Sequence, residues 1–260
     1  MIYFASDIHL GAGTEQEAKR TERAFCRWLD MVSVDATEIY LLGDIFDFWF
    51  EHKRVAPKGF VRVLGRLAEL TDRGVRIVFF TGNHDMWCRD YLTQECGIEV
   101  YKNPQVMEVG GRVMHIAHGD NMNVGNQPLL KAMNAMFRSS TLRWLFSWFM
   151  HPDIALKFGS WWSGKSRKSH SKPRKSQGVK PVSVEMLSYL TDYARKHHSD
   201  DNRASLYIFG HMHIAHRTEI EDGVEVLYLS HWAGNKATYA VMDNAKNVEL
   251  KEFSIDETIS

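Results

Sequence analysis

Apolar residues along this chain bunch into short runs that stop at polar turns, and between the runs they recur at helical spacing. Residues 2–6 are such a run, which reads as a buried strand. Residues 15–32 then predict a helix, with Phe25, Trp28, Leu29 and Val32 on one face. Residues 39–42 predict a second strand, stopped by Gly43-Asp44. Pro57 suits the start of a helix that carries Phe60, Val63, Leu64, Leu67 and Leu70 at helical spacing until Gly74 ends it. Residues 75–80 make a third strand, closed by Thr81-Gly82-Asn83. Strand and helix in alternation predict a layered α/β core.

The texture changes after Gln105. Residues 106–109 and 113–117 flank Gly110-Gly111 and read as a hairpin. Residues 206–209, 224–229, 237–242 and 248–253 are further short strands with few helices between them. Two sheets with helices outside follow from this, built from residues 1–120 and 181–260. Residues 121–180 fit neither pattern. Their first half is helical in pattern and rich in large apolar residues such as Leu129, Met133, Trp144 and Trp148. Their second half holds Lys165, Arg167, Lys168, Lys172, Arg174 and Lys175 and, from 163 to 180, no acid. The stretch reads as an inserted helical cap ending in a basic loop.

Composition adds boundaries rather than direction. With 260 residues, 44% hydrophobic and 25% charged, the chain can bury a substantial core. Its formal net charge is zero, which gives no overall pull toward nucleic acid, and no nucleic-acid module is recognisable. The three cysteines, Cys26, Cys88 and Cys96, have no paired metal-ligand spacing and suit a reducing compartment. The first residues lack a secretory signal, and no apolar stretch is long enough to span a bilayer. The expected location is the cytoplasm.

Chemistry enters at the strand ends. Asp7-Ile8-His9, Gly43-Asp44-Ile45-Phe46-Asp47, Gly82-Asn83-His84-Asp85, His118-Gly119-Asp120 and Gly210-His211-Met212-His213 each follow an apolar run. One such motif is an ordinary turn, because Gly, Asp and Asn favour turns. The ordered set is another matter, since open α/β sheets gather ligands outside the carboxyl ends of their strands. Mixed imidazole and carboxylate donors suit manganese, iron or zinc. Asp44, alone after its strand, is the best candidate to bridge two cations. His115, His197, His198 and His231 read instead as surface or core histidines.

In this order the motifs resemble those of the calcineurin-like metallophosphoesterases, over nearly the whole core. The resemblance implies a four-layer αββα sandwich and two divalent cations, manganese first, with iron or zinc as alternatives. Carried over residue by residue, Asp7, His9, Asp44 and His213 hold one cation, and Asp44, Asn83, His118 and His211 hold the other. Such pairs, about 3.5–4 Å apart, drive hydrolysis at phosphorus. His84 then faces substrate as a donor of a proton or hydrogen bond, with Asp47 orienting it.

A narrower resemblance is to the UDP-2,3-diacylglucosamine pyrophosphatases of lipid A synthesis. It rests on Gly43-Asp44-Ile45-Phe46-Asp47-Phe48-Trp49, on the inserted cap after His118-Gly119-Asp120, and on the basic, serine-rich end of that cap. It implies a nucleotide-linked glycolipid substrate cleaved to UMP and lipid X, with Asn83, His84, Asn126, Trp148, Lys165 and Lys168 in contact with it. It also implies peripheral contact with the cytoplasmic face of the inner membrane through the cap. The chain departs from that group at three positions. His84 stands where the group has arginine, Asp47 where it has glutamate, and Asn126 where it has an acidic residue. These departures keep open a phosphoesterase acting on another nucleotide, phosphosugar or phosphoprotein. A non-catalytic interaction protein is the remaining reading, against which the intact ligand set argues.

Overall fold

A computed structural model describes residues 1–52, 55–120, 122, 139 and 187–256. Strand β1 (Ile2–Ala5) shows how the layers arise. Successive side chains point to opposite faces, so Tyr3 and Ala5 enter one core and Ile2 and Phe4 another. The next strand, β2 (Glu38–Leu42), repeats the pattern, with Ile39 and Leu41 on the first side and Tyr40 and Leu42 on the second. A strand buried on both faces is apolar throughout.

Three helices cover the first side. The longest, α1 (Glu15–Val32), begins with a reciprocal cap: the Glu17 N–H donates to Thr14 Oγ1, and the Thr14 N–H donates to the Glu17 carboxylate. Its Phe25, Trp28, Leu29 and Val32 are buried, and Trp28 lies edge-on to Tyr3 at 6.3 Å. Beside it run α2 (Val61–Asp72) and the short α3 (Tyr91–Cys96). Pro57 does not start α2 as the sequence suggests. The turn is made by Gly59 and by Phe60, which holds φ at 59° and accepts the first helical bond from the Leu64 N–H. That conformation sets the Phe60 ring 5.0 Å from Phe46 and beneath Gly11, where a Cβ would meet it at 3.2 Å.

The first sheet has the order β11-β10-β1-β2-β3-β4, with β3 at Arg76–Phe80, β4 at Glu99–Tyr101, β10 at Lys236–Met242 and β11 at Val248–Ser254. Within it β1, β2, β3 and β4 run parallel. The second sheet has the order β5-β6-β7-β9-β8. Its strands are β5 (Gln105–Val109), β6 (Arg112–Ala117), β7 (Leu206–Phe209), β8 (His216–Glu219) and β9 (Glu225–Tyr228). Met114, Ile116, Leu206, Ile208 and Leu227 face the first sheet across the central core. Tyr207, Phe209 and Tyr228 face outward, under α4 (Ser188–Asp200) with its Leu190 and Ala194. Helix, sheet, sheet and helix are thus the four layers expected.

Residues 121–180, where the sequence suggests an inserted cap, fall outside the described residues except for Met122, which is buried, and Ser139. Asn126, Trp148, Lys165 and Lys168 lie outside them as well. Among the described residues, no helix is long and apolar enough to cross a membrane.

Candidate metal centre

Parallel strands deliver their carboxyl ends to one edge, and the five motifs meet there. Asp7 and His9 follow β1, Asp44 follows β2, Asn83 and His84 follow β3, His118 follows β6, and His211 and His213 follow β7. Main-chain bonds lace the loops together. The Asp7 N–H donates to the Gly43 carbonyl at 3.1 Å and the His9 N–H to the Asp44 carbonyl at 3.0 Å. The two sheets join at the same edge, where the His211 N–H donates to Asp7 Oδ2 at 2.9 Å. His118 Nδ1 lies 2.7 Å from the Leu42 carbonyl and carries a proton, while Nε2 points at Asp44. Burial lowers the ring's pKa, but Asp44 more than offsets it and the net shift is upward. A cation held here would take the place of the Nε2 proton.

Three sets of donor atoms lie within 4.8 Å of one another: Asp7, His9 and His213; His9, Asp44 and His84; and Asp44, His118 and His211. His213 Nε2 is 3.2 Å from Asp7 Oδ1 and 3.3 Å from His9 Nε2. His118 Nε2 is 3.4 Å from Asp44 Oδ2, and His9 Nε2 is 4.0 Å from the same oxygen. Asp44 therefore stands between the first and third sets.

These residues fit cations on the structure's own terms. Asp7 Oδ1, Asn83 Oδ1 and His118 Nε2 are buried and make no hydrogen bond among the described residues. A buried polar atom without a partner costs several kcal/mol at most and at least about 1 kcal/mol. Two of them face the cage, Asp7 Oδ1 at 3.2 Å from His213 Nε2 and His118 Nε2 at 3.4 Å from Asp44 Oδ2, and call for a cation there. The electrostatics agree. Burial pushes the Asp7 carboxyl up, but the imidazoles of His213 and His118 outweigh it and hold it low. Burial opposes ionisation of Asp44 as well, and His118 and His84 overcome it. Burial above all lowers His9 to about 3 and, helped by His118, lowers His211 to about 4. These two rings are neutral at pH 7, as metal ligands must be. Asp85, next to the cage, goes the other way: burial and the Asp44 charge push its carboxyl up to about 7, against the Gly82 N–H. Cations in the cage would draw it back down.

His84 sits at the edge of this cage. Its Nδ1 is 2.7 Å from the main-chain carbonyl of Asp47, whereas the Asp47 carboxylate stands 3.9 Å away from it and 3.8 Å from His9 Nδ1. The short contact that orients His84 is therefore main-chain, not the carboxylate contact the sequence suggested. Its Nε2 is 3.9 Å from Asp44 Oδ2. Burial lowers the His84 pKa, but Asp44 and the Asp47 carbonyl more than offset it, and the net shift is upward.

Some residues of the site escaped sequence reasoning. His231 stacks on His213 with ring centroids 4.7 Å apart, and Ser230 Oγ donates to the His213 carbonyl at 2.9 Å. Both follow β9, so the strand-end signal was there without a recognisable motif. Ser6 Oγ donates to the Leu42 carbonyl at 2.9 Å and ties the first two loops.

A two-sheet sandwich with this strand-edge cage defines a phosphoesterase class, and a model of the calcineurin-like phosphoesterase family matches residues 1–215. The chain belongs to that family. A Porphyromonas gingivalis protein named UDP-2,3-diacylglucosamine hydrolase is 37% identical over 93% of this chain and 94% of its own. Proteins of the same name from Actinobacillus succinogenes and Tolumonas auensis are each 24% identical. The first match covers 88% of this chain and 91% of the relative, the second 84% and 81%.

Proposed function

We infer that this chain is a dinuclear-metal hydrolase that cleaves the diphosphate of UDP-2,3-diacylglucosamine, releasing UMP and 2,3-diacylglucosamine 1-phosphate. The observation that carries this reading is the 37% identity, across nearly the full length of both chains, to a protein of that name. The buried His/Asp groups at the strand edge supply the chemistry such a reaction needs.

Asp7, His9, Asp44 and His213 would hold one cation, and Asp44, Asn83, His118 and His211 the other. Two divalent cations in that cage, manganese in our reading, supply Lewis acidity for the phosphoryl oxygens and an acidified water. The rest falls to the chain. Asp44 presents one carboxylate to both sets. His118, fixed by the Leu42 carbonyl, keeps its Nε2 inward. His84, held at Nδ1 by the Asp47 carbonyl, donates from Nε2 to the phosphate or the leaving oxygen. Asn126, Trp148, Lys165 and Lys168 complete the substrate contacts in this reading. The basic run from 163 to 180 meets the diphosphate or an acidic bilayer on the cytoplasmic face of the inner membrane.

A second reading, hydrolysis of another nucleotide, phosphosugar or phosphoprotein, is favoured by His84 in place of the narrower group's arginine. Incubating the manganese-loaded protein with UDP-2,3-diacylglucosamine and weighing the products by mass spectrometry separates the two. UMP and the diacylglucosamine phosphate are expected. Turnover of soluble phosphodiesters with none of the lipid would overturn the lipid assignment and keep the family.

A further inference from the structure

Asp85 belongs to no expected ligand set, yet it is fully buried beside the cage. Its two oxygens divide their work between two loops. Oδ1 accepts from the Gly82 N–H at 2.7 Å, immediately before Asn83. Oδ2 accepts from the Ile45 N–H at 2.9 Å and the Phe46 N–H at 3.4 Å, immediately after Asp44. One carboxylate thus spans the loops that present Asp44 and Asn83.

The approach of those loops leaves no slack. A Cβ at Gly82 would collide with the Asp44 carboxylate and would stand 2.6 Å from the Asp44 nitrogen. The His84 N–H donates to Asp44 Oδ1 at 2.9 Å across the same gap. A carboxyl group offers an acceptor on each of its two oxygens, as both loops require here, whereas an amide offers only one, and partners behind a ligand commonly set metal affinity by about 10–100-fold.

We propose that Asp85 is a positioning residue that sets the separation of Asp44 and Asn83 and through it the affinity of the cation they share. The proposal rests on the dinuclear reading above. Asp85→Asn tests it, because the amide keeps one acceptor oxygen and turns an NH₂ against a main-chain N–H. The full-length protein, stripped of metal and shown folded by near-ultraviolet circular dichroism, is titrated with Mn²⁺ by calorimetry and electron paramagnetic resonance. Two Mn²⁺ are expected in the parent. In the variant, one site should weaken by at least about tenfold and the other should change less. The kcat for a small aryl phosphodiester at saturating Mn²⁺ should fall more than KM rises. If Asp85→Asn does not fold, Asp85→Ser, with room for a water that accepts from the same N–H groups, carries the same measurement. A folded variant that binds two Mn²⁺ as tightly as the parent overturns the positioning role alone. A parent that binds no Mn²⁺ overturns the metal reading and this proposal together. Failure of both variants to fold would make Asp85 a folding residue and end the positioning role.

Discussion

Asp7, His9, Asp44, His211 and His213 all hold φ between 50° and 65°. This left-handed region costs a non-glycine residue on the order of 1–2 kcal/mol. Strain of this kind persists where surrounding structure over-determines it, and it turns each side chain inward just past its strand. The conformation also decides which test is clean. Asparagine tolerates this region better than most residues, and in Asp44→Asn the amide oxygen would still accept from the His84 N–H. The substitution should therefore keep the fold while losing the shared negative charge. Activity should drop roughly 10²–10³-fold, the scale of removing one preorganised electrostatic group, and bound metal measured by plasma mass spectrometry should fall with it. Full activity with a full metal load would remove Asp44 from the bridge. His84→Asn removes a proton donor that belongs to neither expected ligand set, so metal content should stay at the parent level while kcat falls about 10²-fold. An unchanged kcat on a poor leaving group would show that His84 donates nothing to the reaction. At this scale the sequence was legible where polar residues follow apolar runs, and so Asp7, His9, Asp44 and His118 stood out. Asp85 was legible only as a motif neighbour, because a side chain whose partners are main-chain N–H groups leaves no sequence pattern. His231 was hidden for the opposite reason: it touches the cage through a ring face.

The central strands could be anticipated because burial on both faces makes them apolar throughout, as in Leu206–Phe209. Two of the four edge strands could not. β8 (His216–Glu219) is polar and half exposed, and β4 (Glu99–Tyr101) has three residues, one of them an acid paired with Arg76. Their pairing is dictated by neighbours, not by their own composition. The start of α2 was misplaced because Phe60 turns the chain by packing on Phe46, a long-range contact no local rule contains. Helix α4 carries a property that its pattern did not announce. Its His197 and Tyr193 lie over His115 of β6, which stacks on Tyr207 of β7 at 5.0 Å. Burial, aided by His197 and opposed weakly by Asp201, lowers His115 to about 3. Neutral His115 is therefore the folded form, while the unfolded chain binds a proton near about pH 6.5. Stability from this group is complete above that pH and is lost as pH falls toward 3. Between pH 7 and pH 5 the loss is about 2 kcal/mol, or roughly 4–8 °C in Tm for a chain of this size. Melts at both pH values should show a drop smaller by that amount in His115→Phe than in the parent. Equal drops would mean that His115 is solvated or already charged.

At the scale of the whole molecule, the two sheets act as a frame that brings side chains from distant parts of the sequence to one edge and locks them there with main-chain bonds, as a dinuclear site and its supports require. The apolar faces of the described helices are spent on the sheets. The helices α1, α2 and α3 use their apolar faces on the first sheet and α4 uses its own on the second. On the lipid reading proposed above, residues 121–180 would supply the acyl contacts, since they hold further large apolar side chains, Trp144, Trp148 and Trp162 among them. Each methylene buried there contributes about 0.8 kcal/mol, so two long chains confer selectivity that phosphate contacts alone do not. UDP-2,3-diacylglucosamine should consequently be cleaved with a kcat/KM at least about 10²-fold above that of its de-acylated analogue, the equivalent of roughly four methylenes. Replacing residues 121–180 by a short linker should abolish that ratio and spare slow hydrolysis of an aryl phosphodiester, because every candidate metal ligand lies in the frame. Trp148→Ala should raise KM for the lipid substrate and leave the small one unaffected. Equal turnover of acylated and de-acylated substrates by the intact chain would sink the lipid assignment, and loss of the aryl activity along with the insertion would show that the frame does not work alone.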